Sequence, residues 1–145
     1  MTFRTLSILL VDDSEDDNFF SARAIRKSGV PASVDVCVDG ADALDFLKGA
    51  AKYAGGFTAQ PDIIFLDINM PKLNGWEFLK KFEDFPPERK TSCIVVMVTT
   101  STEVRDRTKA SDTERVSAFL PKPLTANDVT SIATKYFGFP GIEES

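Results

Sequence analysis

Five short apolar runs constrain what this chain can fold into more than any other feature. Leu6 to Val11 is continuous apart from Ser7, and Ile63 to Leu66 and Cys93 to Val98 are equally unbroken. Runs of this length, rich in β-branched residues and free of polar alternation, fit strands buried on both faces of a parallel sheet. Val34, Asp35, Val36, Cys37 and Val38 alternate more, which suits a strand near an edge. Val116 to Leu120 is the fifth run, and Pro121 closes it as a proline closes an edge strand or a strand end.

Helical patterns fill the gaps between the runs. Ser14 reads as an N-cap, with Glu15, Asp16 and Asp17 in the positive first turn, Phe19, Phe20 and Ile25 as apolar area and Gly29 as the stop. Ala41 to about Tyr53 is a second helix, with Ala43, Leu44, Phe46 and Leu47 on its apolar side. Gly75 to about Phe82 is a third, carrying Trp76, Phe78 and Leu79 and ended by Pro86-Pro87. Glu103 to about Asp112 is a fourth, thinly apolar through Val104 and Ala110. Asn127 to Phe137 is the fifth. Gly49 to Gln60 reads as a long surface loop. Strand followed by helix, five times over, predicts right-handed crossovers and a doubly wound α/β fold. A length of 145 residues fits one domain, with a short tail after about residue 137.

In such folds ligands sit at the carboxyl ends of the strands. Asp12 and Asp13 end the first run, Asp67 ends the third, Thr99 and Thr100 end the fourth and Lys122 follows the fifth. Three carboxylates, a hydroxyl and an ammonium therefore converge on one sheet edge. Carboxylates this close repel unless a cation joins them, and Mg2+ favours such hard oxygen donors. The constellation reads as a magnesium-assisted phosphoryl acceptor.

Composition excludes several alternatives. The chain has no histidine, so it cannot build a Ser-His-Asp triad, an imidazole metal site or its own phosphohistidine. A formal net charge of -5 argues against a nucleic-acid partner. Cys37 and Cys93 lie inside apolar runs without metal-ligand spacing, which fits buried thiols in a reducing cytoplasm. The first apolar stretch is too short for a signal peptide or a membrane span.

Asp12-Asp13, the stretch from Asp67 through Asn69, Met70 and Pro71 to Gly75, Val98-Thr99-Thr100 and Lys122-Pro123 occur in order, each on the expected element. In these motifs the chain resembles a response-regulator receiver domain of two-component signalling, from about Leu6 to Phe137. No output domain follows in the sequence, so the resemblance is to stand-alone receivers, of the chemotaxis kind or those that serve phytochrome kinases. It implies a flavodoxin-like sheet of strand order 2-1-3-4-5. It also implies Asp67 as the phosphorylated residue, and Mg2+ held by Asp13, Asp67 and the Asn69 carbonyl, with Asp12 acting through a water. Thr99 and Lys122 would contact the phosphoryl group, and the Lys122-Pro123 bond would be cis. Thr99 and Phe119 would form the switch, changing the surface of helix four, strand five and helix five. Pro121 departs from the ordinary strand residue of relatives, and Ser101 and Asn69 face the approach of hydrolytic water. The implied partners are a sensor histidine kinase or a histidine phosphotransfer protein, and a downstream protein target. Phenylalanines on helices one and five admit a homodimer.

Three other functions compete for the same residues. A relay intermediate would pass the phosphoryl group on to a histidine phosphotransfer protein. A haloacid-dehalogenase-type phosphatase wants Asp-x-Asp after the first strand, whereas Asp67 follows the third and is succeeded by Ile68 and Asn69. A flavodoxin-like flavin binder would need a phosphate loop where this chain has the acidic stretch Asp12 to Asp17.

Overall fold

The computed structural model of the chain describes residues 4–49, 60–90, 92–100 and 103–140. The expected surface loop from Gly49 to Gln60 lies almost wholly outside the described residues, as does Ser101. Five strands are present: β1 (Leu6–Val11), β2 (Ala32–Cys37), β3 (Ile63–Leu66), β4 (Ile94–Thr99) and β5 (Val116–Pro121). They form one sheet of order β2-β1-β3-β4-β5, with every neighbouring pair parallel. The helices are α1 (Glu15–Ser28), α2 (Gly40–Lys48), α3 (Gly75–Phe82), α4 (Val104–Asp112) and α5 (Ala126–Phe137). The architecture is the doubly wound, five-stranded fold expected from the runs.

Strand side chains alternate between the two faces, so each face acquires its own core. Leu9, Val11, Ile64, Leu66, Val95 and Met97 pack against α2, α3 and Ala110 of α4. Leu6, Ile8, Leu10, Ile63, Phe65, Val96 and Val98 pack against α1 and α5. β1, β3 and β4 are nearly fully buried, which explains their unbroken apolar sequences. β2 alternates in exposure, as an edge strand covered on one side does.

Helix ends follow local chemistry. The Ser14 hydroxyl accepts from the Asp17 N–H, and Gly29 ends α1 at a φ of 77°. Asn74 and Glu77 form a capping box on α3, and Thr125 and Asp128 form another on α5. Three details differ from the sequence reading. α2 ends at Lys48, where Gly49 adopts a φ of 69°, rather than running to Tyr53. Phe19 and Phe20 are 61% and 51% exposed, because α1 turns inward the expected Ile25 together with Ala24. Val104 is 74% exposed, and Ala110 is the one buried residue in α4.

Candidate phosphoryl-acceptor site

Register assembles the site. Val11 lies opposite Leu66 and Thr99 opposite Pro121, so the residues that follow emerge at one edge of the sheet. The ladder also continues one residue past the strand ends. The Asp12 N–H donates to the Cys37 carbonyl (3.1 Å), Asp67 N–H to Val11 (3.0 Å) and Lys122 N–H to Thr99 (3.0 Å). These bonds fix the backbone from which the side chains of Asp12, Asp67 and Lys122 project.

Carboxylate oxygens of Asp12, Asp13 and Asp67 lie within 4.8 Å of one another. Asp12 and Asp67 are 8% and 6% exposed, whereas Asp13 is open to solvent. Lys122 Nζ reaches into this group, 2.6 Å from Asp12 Oδ2, 3.3 Å from Asp67 Oδ2 and 2.8 Å from Asp17 Oδ2. The Ser14 N–H holds Asp12 Oδ1 at 2.8 Å, and the Asn18 side-chain amide donates to the Asp12 carbonyl at 2.8 Å. The start of α1 thus orients Asp12 so that its other oxygen faces the ammonium. The Lys122-Pro123 peptide is cis. Thr99 is 1% exposed at the end of β4, and Asn69 is exposed on the loop after Asp67. Phe119 is half-buried and packs against the core shared by α2 and α3.

The charges do not balance. Burial raises the pKa of Asp67, and the charge of Asp12 raises it further, while Lys122 and the Asn69 N–H pull it down. Burial works against the charge on Lys122, yet Asp12, Asp17 and Asp67 outweigh it and hold the ammonium above the ordinary lysine value. One fixed cation thus faces four carboxylates, and excess negative charge remains on hard oxygen donors. That donor set fits a small divalent cation such as Mg2+.

Two contributions were not legible as functional from sequence. Asp17 reads there as a first-turn acid stabilising α1, which it also is; its place one turn beyond Asp13 was the available signal. Gly75 reads as a helix start and as the end of the motif that opens at Asp67, but neither reading shows that α3 begins directly on the Asp67 backbone. The Gly75 N–H donates to the Ile68 carbonyl at 2.8 Å, and a Cβ there would lie 2.6 Å from the Asp67 carbonyl oxygen.

Comparison with known proteins identifies the family and the fold. Residues 8–134 match the family model of the response regulator receiver domain. Response regulator Rcp1 of Synechocystis is 30% identical over 84% of this chain and 80% of its own. The Mn(2+)-bound form of response regulator Rcp1 superposes with a TM-score of 0.74 at 26% identity, over 96% of this chain and 99% of that one. A two-component response regulator from Cytophaga hutchinsonii superposes with a TM-score of 0.80 at 32% identity, over 94% of this chain and 100% of that one. The bacteriophytochrome response regulator AtBRR does so with a TM-score of 0.79 at 28% identity, over 99% and 100%. Among the described residues no helix is long and apolar enough to cross a membrane. Sheet order, motif placement and the extent of the match lead to one conclusion: the chain belongs to the response regulator receiver domain family of two-component signalling.

Proposed function

We propose that this protein is a cytoplasmic response regulator whose receiver domain accepts a phosphoryl group on Asp67. The observation that carries this reading is the placement of Lys122 Nζ between Asp12 and Asp67, with Asp13 in the same carboxylate group. An Asp67 oxygen attacks phosphorus on a phosphohistidine of a partner. The O–P bond forms as the P–N bond breaks, and the imidazole leaves with the electron pair. Mg2+ bound by Asp13, Asp67 and the Asn69 carbonyl, with Asp12 nearby, would neutralise charge on the phosphoryl oxygens. Lys122 stabilises one of those oxygens as a point charge, and Thr99 donates its hydroxyl to another.

The partner is a sensor histidine kinase or a histidine phosphotransfer protein. A phytochrome-type kinase is favoured by the similarity to AtBRR over nearly the whole of both chains. Output passes through α4, β5 and α5. Thr99 moves toward the phosphoryl group, Phe119 turns further inward and α4 shifts on its thin apolar contact. Identical amide spectra across residues 99–125 in resting and activated protein would refute this switch.

Intact mass after incubation with acetyl phosphate tests the acceptor. A single phosphoryl adduct is expected, requiring both Mg2+ and Asp67 and lost in Asp67→Asn. An adduct that persists in Asp67→Asn, or none from either acetyl phosphate or the P–N donor phosphoramidate, overturns the reading.

A further inference from the structure

Lys122 has three N–H donors and three carboxylate acceptors, and its two shortest contacts are to Asp12 and Asp17 rather than to Asp67. Asp12 is tied into the site twice, through the Ser14 N–H and through the carboxylate group with Asp13 and Asp67. Asp17 stands outside that group. It comes from the first turn of α1, its side chain is 39% exposed, and it enters the site through the 2.8 Å contact with Lys122 Nζ. Its backbone N–H is occupied by the Ser14 cap, so the turn that stabilises the helix also fixes the carboxylate against the lysine.

We propose that Asp17 is a positioning residue that holds Lys122 in a resting place and competes for it with the phosphoryl group on Asp67. A phosphoryl group brings strong acceptor oxygens, and it must draw the ammonium toward itself. A cation held by Asp13 and Asp67, with Asp12 nearby, would weaken the hold of Asp67 and Asp12 on Lys122, which leaves Asp17 as its anchor. Asp17 also adds negative charge at the solvent-facing side of a site that receives anions. On both counts it makes phosphorylation harder and sets a threshold against small-molecule donors. The inference rests on the acceptor role of Asp67 proposed above.

The test measures beryllofluoride affinity, a phosphoryl mimic that removes hydrolysis from the comparison, and the acetyl phosphate concentration giving half-maximal labelling by intact mass. Asp17→Asn should tighten beryllofluoride binding and lower the half-maximal concentration by about fivefold, the scale of one partly exposed ion pair. Asp17→Glu should restore wild-type behaviour. Asp16→Asn, which removes an exposed acid from the same turn, should leave both readouts unchanged. A gain of affinity separates this role from a purely structural one, because a damaged fold would lose it. Unchanged or weaker binding in Asp17→Asn overturns the proposal, as does an equal gain in Asp16→Asn. If the wild type neither binds beryllofluoride nor takes a phosphoryl group while remaining folded, the acceptor reading fails and this inference falls with it.

Discussion

Gly75 leaves no room for a side chain, since a Cβ there would also come within 3.0 Å of Ile68 Cα. The obstructing atoms are backbone, so the strand end carrying Asp67 would have to move. Gly75→Ala should destabilise the protein by about 1–3 kcal/mol, measured by urea unfolding, and slow Asp67 labelling. The adjoining loop is held too, with Lys72 at a φ of 67° and the Leu73 N–H donating to the Pro71 carbonyl. At this scale sequence is read well where a residue ends an apolar run. Asp12, Asp67, Thr99 and Lys122 could be brought together because strand ends in a parallel sheet share an edge. The Lys122 contact of Asp17 and the Asp67 backbone contact of Gly75 escaped because each residue already had a sufficient local explanation, a helix first turn and a helix start. Their second roles depend on what the helices touch, which no local pattern carries.

α4 is the most loosely held of the helices, because Ala110 is its one buried residue. Much of its attachment is polar: Trp76 Nε1 on α3 donates to Asp106 Oδ1 at 3.2 Å, and Lys109 Nζ lies 4.9 Å from the Trp76 ring centroid. A groove of about 710 Å3 opens beside this contact. Trp76→Phe removes the hydrogen bond and weakens the cation contact. It should speed amide exchange across residues 104–112 selectively, with little change in the exchange of β1, β3 and β4. The other end of α3 is tied to the residue that precedes β5. Glu83 meets Arg115 Nε at 2.7 Å and Lys90 Nζ at 3.3 Å, and Arg115 also donates to the Lys90 carbonyl at 2.9 Å. The Arg115 guanidinium, opposed by partial burial and helped by Lys90, holds the Glu83 carboxyl below its usual value of 4.5. A depressed folded value means that the contact contributes above the unfolded pKa and is lost as pH falls through the folded one. The melting temperature of the wild type should therefore exceed that of Glu83→Gln near neutrality, and the gap should narrow as pH falls below the usual carboxyl value of 4.5. Helices were harder to read than strands for a physical reason. Phe19, Phe20 and Val104 are apolar, but a helix needs only one stripe against the sheet, and Ala24, Ile25 and Ala110 supply it.

Across the whole molecule, the sheet divides the apolar interior into two cores, each sealed by helices. That division is why the fold was legible: strands buried on both faces have no polar alternation to hide them, and five of them separated by helices leave few topologies. Strand order was less accessible to composition and came through the family's motifs. Both cysteines are buried free thiols, and burial pushes the Cys93 thiol up to about 12. Since the thiolate is the reactive form, iodoacetamide at pH 8 should label neither cysteine in the native protein and both after unfolding in urea. The chain contains one tryptophan, and that residue bridges α3 to α4 with an anion at its indole N–H and a cation over its ring. The ultraviolet emission of the native protein therefore comes largely from a single spot whose electric field depends on where α4 sits. An unlabelled sample in a cuvette carries its own optical gauge of α4, and displacement of that helix will register as a change in colour or brightness without any probe being attached.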